Sequence, residues 1–569
     1  MFKEKPWLKF YEPHVAETID YGQETLPVIL EEMAHKYPDN PAMIFKGSTV
    51  SYREFNTSVD RFAAALQQLG VKKGDRVAVH LLNCPQFPIA YYAILRIGAV
   101  VVPCNPIYTA REMLHQIKDS GAEVIVTLSL IYPTIQQIRA ETALRHVIVT
   151  KIKTYFPSVL KLLFSLLKEK KAGHRVDISG EANTTWFTDE LTQAPEKPEP
   201  VGVSMDDLAV LMYTGGTTGI SKGAQLTHRN ILVNAIQSIT WANGVEGQDR
   251  TLTTLPLYHS YAMTLCMNAS VVGAGAMLLV PDPRDTDDIL KTIHKHRPGY
   301  YPGVPAMYVA INNHPEVTKY DLSSIKTCCS GAAPLPVEVQ QRFQEITGAP
   351  LVEGYGLSEA SPVTHGNPAY GECRIGTIGL PWPDTEVKIV DVDTGEQVVG
   401  VGEVGELCVR GPQVMTGYWN MPSETANTLR PDPEGGGAWL HTGDIAVMDE
   451  DGYFQIVDRK KDMILGAGGY NIYPREIEDV LYEHPKVLEA AAVGVLVGEK
   501  GERIKAFFVL KDGQTATEEE IIIFCKQNLA PYKVPKYVEF RDDLPKTLVG
   551  KILRRELAKE EAERQAAEK

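Results

Sequence analysis

None of the eight cysteines in this 569-residue chain stands in a C-x-x-C pair; they are scattered from Cys84 to Cys525. That spacing argues against a cysteine metal site or a disulfide framework and fits a reducing cytoplasm. Long apolar runs are also missing. Tyr91-Tyr92-Ala93-Ile94-Leu95 is broken by Arg96, well short of a membrane span, and Met1 to His14 carries charges and prolines instead of the apolar core of a secretory signal. Excess basic charge is absent as well. A formal net charge of -15 and no nucleic-acid motif speak against a nucleic-acid partner, so an anionic ligand would need a local positive pocket.

What is present is ordinary globular composition, 44% hydrophobic with 46 Gly and 37 Pro, in a chain too long for one compact core. From Pro41 to Val126 short apolar runs alternate with helical patterns: a helix over Ser51 to Leu69, strands at Arg76 to Val79 and Ala99 to Val102, and a helix over Gln86 to Ile97. Ala276 to Val280, Asp287 to His296 and Tyr300 to Val304 repeat the pattern. Such alternation predicts α/β structure with helix-flanked, mainly parallel sheets. Past Gly376, short runs punctuated by Gly and Pro predict an antiparallel, β-barrel-like subdomain. The charged stretch Val457 to Asp462 predicts a domain boundary, giving residues 1–460 and a small α+β unit over 461–569 whose last residues, from Arg554, read as a solvated helix or tail.

The organising stretch is Tyr213-Thr214-Gly215-Gly216-Thr217-Thr218-Gly219-Ile220-Ser221-Lys222-Gly223. It follows an apolar strand and precedes a helix start at Thr227. Glycines let backbone N–H groups approach an anion, the hydroxyls add donors and Lys222 adds charge, so phosphate can be wrapped from several sides. The spacing is not that of a Walker-type loop. Taken alone, the stretch is also compatible with a plain Gly/Thr turn. Further on, Glu353-Gly354-Tyr355-Gly356-Leu357-Ser358-Glu359 places a ring, a hydroxyl and a carboxylate within five residues, suited to a nucleotide and its Mg²⁺.

The order of these motifs resembles the adenylate-forming superfamily of acyl-CoA synthetases, luciferases and peptide synthetase adenylation domains. The Thr-Gly-Gly-Thr-Thr-Gly loop with Tyr470-Asn471-Ile472-Tyr473-Pro474-Arg475-Glu476 is most similar to bacterial long-chain fatty acid–CoA ligases. The resemblance implies a mobile C-terminal domain, ATP, Mg²⁺ and coenzyme A as co-reactants, and fatty acid as substrate. It implies that Thr214, Gly215, Gly216, Thr217, Thr218, Gly219 and Lys222 hold phosphates, and that Thr214 and Glu359 serve the metal. Gly331, Ala332, Ala333, Gly354, Tyr355, Gly356, Leu357 and Ser358 would surround the nucleotide, with Asp444 and Arg459 on the ribose. Lys461 would be the hinge pivot, Gly469 would lie near pantetheine, His259 would orient the reacting carboxylate, and Lys551 in Pro545-Lys546-Thr547-Leu548-Val549-Gly550-Lys551 would be the catalytic lysine. The loop around Gly469 looks one residue longer than the usual spacing. No acidic residue accompanies the His259 motif to hold a substrate ammonium, which favours an uncharged acyl tail.

Alternatives at this stage are an acyl-AMP ligase, a medium-chain or aryl-CoA ligase, and, from another class, a non-catalytic acyl or nucleotide sensor. Relatives include a homodimer. The segment Lys151 to Arg175 interleaves leucines with seven Lys/Arg against Glu169 alone, which predicts either a solvated surface helix or contact with the cytoplasmic face of a membrane.

Overall fold

The computed structural model describes residues 5–214, 221–465, 471–496, 502–547 and 552–567. The predicted strands form as Arg76–His80 and Val100–Pro103 and make, with Val124–Leu128, His146–Thr150, Leu208–Thr214 and Thr184–Trp186, the parallel part of an eight-stranded sheet. Val100–Pro103, Val124–Leu128 and His146–Thr150 are mostly apolar and buried throughout because both faces are covered, the usual signature of parallel strands. A nine-stranded sheet has a parallel centre of Pro41–Phe45, Ala276–Leu279, Arg250–Thr253, Tyr300–Gly303, Thr327–Ser330 and Leu351–Gly356. The carboxyl ends of these strands carry most of the motif residues.

The helix Gln86–Arg96 is buried over Gln86 to Leu95 and packs into the main core with side chains of both sheets. Arg96, which interrupts its apolar run, is satisfied there by Asp60, Asn56 and the Pro27 carbonyl. A buried charge needs such partners. The predicted helix over Ser51 to Leu69 forms as Tyr52–Gln68. Ser51 and Glu54 make a capping box at its start.

Between the motif strands and the C-terminal end, Glu386–Val390, Gly405–Arg410, Leu429–Pro431, Ala438–Met448 and Phe454–Arg459 make an antiparallel five-stranded sheet. Beyond it, Val487–Leu496, Glu502–Leu510 and Tyr537–Phe540 form a three-stranded sheet packed by Pro474–Tyr482, Glu518–Asn528 and Arg554–Ala567. Two apolar clusters here draw only on residues from Ile464 onward.

The helix start expected at Thr227 forms, and one strand that the sequence did not show precedes it: Lys222–Thr227 pairs antiparallel with Leu208–Thr214, as the two arms of a hairpin. Thr227 then caps the helix His228–Trp241 through a reciprocal pair with Asn230. The Arg554–Ala567 helix is not solvated all round. Leu557 is buried beside Phe507 and Leu544, and Glu561 is ion-paired to Lys505 at 2.7 Å.

Candidate active site

The hairpin puts Thr214 and Lys222 opposite each other as Cα partners at the mouth of the loop. The Ser221 hydroxyl donates to the Thr214 carbonyl at 2.7 Å, narrowing that mouth. Gly215, Gly216, Thr217, Thr218 and Gly219 lie outside the described residues, as do Gly469 and Lys551. Lys222 is nearly buried, ion-paired with Glu424, and its ammonium sits 5.3 Å from the centre of the Tyr418 ring. Tyr418 belongs to a two-residue strand, Gly417–Tyr418, laid along Lys222–Thr227. Its hydroxyl donates to Glu359 Oε1 at 2.8 Å. Burial and that carboxylate push the Tyr418 phenol above its ordinary value, so it remains a donor.

Glu359 is therefore tied to the phosphate-loop hairpin through Tyr418, and its backbone carbonyl accepts from Met415 N at 2.8 Å. Beside it, Ser358 Oγ lies 3.0 Å from Ser260 Oγ, which joins this motif to the His259 segment. His259 caps the short helix that follows, its Nδ1 accepting from Tyr261 N at 3.3 Å. Met263 is fully buried and opens a π-helical turn, Met263–Asn268, a geometry that recurs at functional sites. Met263 and Val304 both belong to the main core.

Where the antiparallel sheet meets the strand Leu351–Gly356, the Tyr355 hydroxyl donates to Asp444 Oδ2 at 2.6 Å and Arg459 Nε meets Asp444 Oδ1 at 3.1 Å. Three residues read separately from the sequence are thus joined by one hydrogen bond and one ion pair. The Asp444 carboxylate raises the Arg459 guanidinium above its ordinary value, fixing it as a cation. Asp444 and Arg459 are register partners in the antiparallel sheet. Ala332 has φ +67°, turning the chain after the strand Thr327–Ser330, and a Cβ on Gly331 would stand 3.3 Å from the Tyr261 ring. Gly356 is sterically demanded: a Cβ there would lie 2.2 Å from the Pro362 carbonyl oxygen. Lys461 is exposed two residues past Arg459.

Beneath the motif, Glu353 is buried, and burial pushes its carboxyl up to about 7 against the opposing pull of Arg475. Asp458, also buried, accepts from Arg475 N at 2.6 Å and from Arg554 Nη1 at 2.8 Å. It thus meets the start of the helix Pro474–Tyr482, where a carboxylate is favoured.

Sequence reading missed Tyr418 and Asn83. Asn83 Nδ2 donates to the carbonyls of Thr253 at 3.1 Å and Leu255 at 2.8 Å, and Oδ1 accepts from Leu257 N at 2.9 Å, so one buried amide holds the segment leading to His259. A lone amide in Leu81-Leu82-Asn83-Cys84 was the available signal, since buried polar groups need partners. Nothing in linear spacing connects Tyr418 to Glu359.

Among the described residues, no group of three or more His, Cys, Asp or Glu gathers as a metal cage. The donors that are present, the Glu359 carboxylate and the Thr214 hydroxyl, are hard oxygens beside a phosphate-type loop. They fit Mg²⁺, which takes one or two carboxylates plus substrate phosphates and water.

The model of the AMP-binding enzyme family matches residues 30–419, and that of the AMP-binding enzyme C-terminal domain matches 476–551. A long-chain-fatty-acid–CoA ligase of Bacillus subtilis (strain 168) is 46% identical, with 99% of each chain covered. Among solved structures, an anthranilate CoA ligase in complex with anthranoyl-AMP superposes with TM-score 0.82 at 26% identity, covering 95% of this chain and 97% of that one. MatB from Rhodopseudomonas palustris, 28% identical and covering 94% and 99%, scores 0.81 in its ATP-bound form and 0.71 in its apo form. Family models matching residues 30–419 and 476–551, with a relative 46% identical over 99% of this chain, mean that the chain belongs to the AMP-binding enzyme family.

Proposed function

We propose that this chain is an ATP-dependent fatty acid–CoA ligase acting on long-chain acids. Fatty acid, ATP and CoA give acyl-CoA, AMP and diphosphate through an acyl adenylate. A carboxylate is a poor electrophile because oxide would have to leave, so its oxygen first attacks the α-phosphorus and diphosphate departs. The CoA thiolate then attacks the acyl carbon and AMP leaves. No side chain has to become covalently attached, so rate comes from positioning and from stabilising charge. The observation that carries the reading is the Tyr418 link between the Lys222 hairpin and Glu359, continued through Ser358 and Ser260 to His259. It supports one site where phosphate, metal and acyl carboxylate meet.

In this reading Thr214, residues 215–219 and Lys222 hold the β and γ phosphates, and Glu359 with Thr214 holds Mg²⁺. Bound there, the ion supplies charge neutralisation for diphosphate. Gly331 to Ala333 and Gly354 to Ser358 line the nucleotide. Tyr355, Asp444 and Arg459 orient its base and ribose, while His259 orients the carboxylate and Lys551 bridges it to the α-phosphate.

The chain divides into residues 1–460 and 461–569, a division supported by the apolar clusters that draw only on later residues. Turning about Lys461 exchanges Lys551 for CoA, with Gly469 near pantetheine. Similarity is higher to the ATP-bound than to the apo form of MatB, which supports the present arrangement as the one that adenylates. The relative named as a long-chain ligase supports the acyl class. Peripheral contact with a membrane through Lys151 to Arg175 goes with that water-poor substrate.

The test is CoA-dependent AMP formation across straight-chain acids from acetate to oleate, with benzoate as control; a maximum at short chains or benzoate overturns the long-chain assignment. Lys551→Ala is expected to slow adenylation on the order of a hundredfold or more. It should spare thioester formation from supplied acyl-AMP, and equal loss in both half-reactions rejects the role.

A further inference from the structure

Within the basic segment, Ser158–Leu167 forms a ten-residue helix with no buried residue. Val159, Leu162, Leu163, Leu166 and Leu167 are each between 48% and 72% exposed. Their spacing, i, i+3, i+4, i+7, i+8, is that of a stripe which in a globular protein faces the core. Here it faces outward. No other described helix carries more than one exposed large apolar residue.

The orientation is held from the other side. Phe164 packs edge-on against Phe156 at 5.4 Å and His174 at 5.2 Å, and Phe156 packs on Phe45 of the nine-stranded sheet. Lys153 reaches Ser165 Oγ and buried Glu169, both at 2.7 Å. That pair consumes the segment's single acid. Lys151 lies over the Trp186 ring, leaving Lys161, Lys168, Lys170, Lys171 and Arg175 exposed around the helix and the turn after it. A patch of five cations on a chain of net charge -15 selects an anionic surface. A second copy of the chain would bring like charges face to face, which disfavours self-association at this patch.

The helix is also coupled to the site. At the start of the buried helix Gln86–Arg96, Gln86 Nε2 donates to Thr150 Oγ1 and the Lys151 carbonyl, at the root of the segment. Three residues earlier, Asn83 holds the backbone that leads to His259.

We infer that the helix Ser158–Leu167 docks on an anionic phospholipid bilayer, its leucine stripe entering the acyl boundary and the lysines meeting headgroups. This deepens the ligase reading and rests on it for the benefit: a fatty acid dissolved in the bilayer is delivered on the side of the protein tied to the acyl segment.

The test uses the full-length protein in vesicle sedimentation, with phosphatidylcholine alone and with phosphatidylcholine plus phosphatidylglycerol. The wild type is expected to bind the anionic vesicles, less so at high salt. Lys168→Gln with Lys170→Gln and Lys171→Gln should lower binding on the order of a hundredfold, from about fivefold per lysine. Leu162→Glu with Leu166→Glu should lower it at least about tenfold. Both variants should keep wild-type AMP formation from albumin-delivered oleate while losing the advantage with vesicle-borne oleate. Failure of the wild type to prefer anionic vesicles, or equal binding by all forms, overturns the inference. So does a concentration-dependent dimer abolished by the leucine variant without vesicle binding. If the leucine variant misfolds, the lysine variant and the salt dependence decide. Vesicle binding without any AMP formation would refute the ligase reading and leave the docking surface standing.

Discussion

Gly356→Ala tests the site at its tightest point. The added Cβ would sit 2.2 Å from the Pro362 oxygen, 2.8 Å from its carbonyl carbon and 2.9 Å from Val363 Cα, all backbone atoms that no rotamer change can move. Restoring ordinary contact means parting the two strands by about 1 Å, and that same oxygen accepts from Leu357 N at 2.9 Å. The hydrogen bond closing the turn that carries Ser358 and Glu359 is then lost. Overpacking of this size costs folding about 1–3 kcal/mol. A misplacement of about 1 Å at reacting groups costs on the order of a hundredfold in rate. Fatty-acid-dependent ATP–diphosphate exchange should therefore fall about a hundredfold while the melting temperature drops only a few degrees. Gly202→Ala, with nothing within 4 Å of the new Cβ, is the matched control. Exchange within about twofold of wild type in Gly356→Ala would refute the claim that this turn positions the metal carboxylate.

Tyr418→Phe removes the hydroxyl that donates to Glu359; a hydrogen bond to a charged group is worth about 1.5–3 kcal/mol. Adenylation should slow about tenfold to a hundredfold, with a higher Mg²⁺ requirement, and an unchanged Mg²⁺ titration would sink the link. Glu353 gives a pH signature. Its folded carboxyl is pushed up to about 7 by burial, so it keeps a proton that the unfolded chain, at the ordinary value of 4.5, has already released. Its contribution is fully present below the unfolded value and lost as pH rises to about 7, by up to about 3 kcal/mol. Glu353→Gln should flatten that decline in melts between pH 5 and pH 8, and parallel declines in both proteins would count against it. Asn83→Ala should destabilise by about 3 kcal/mol by orphaning backbone groups before His259. An unaltered KM for fatty acid in that variant would show that the segment does not shape the acyl site.

Parallel strands such as Val100–Pro103 were legible because burial on both faces leaves apolar runs. Lys222–Thr227 escaped because Lys-Gly-Ala-Gln-Leu-Thr shows neither period, and its partner strand decides it. The motif residues could be read because glycine, hydroxyl and carboxylate chemistry is local. Tyr418 could not, since its meeting with Glu359 is made by strand pairing across 59 positions. The last helix misled for a related reason. Its charges suggest solvent, but Glu561 is buried by pairing with Lys505 and Arg564.

In the proposed turn about Lys461, the Asp458 carboxylate, shared by Arg475 N and Arg554, would act as a detent. Rotating the C-terminal part pulls both donors from a buried charge together, a loss of about 3–5 kcal/mol unless new partners replace them. The intermediate angles are then thinly populated and the turn proceeds as a click between two stops. Free energy for that click would have to come from ligands that prefer one stop.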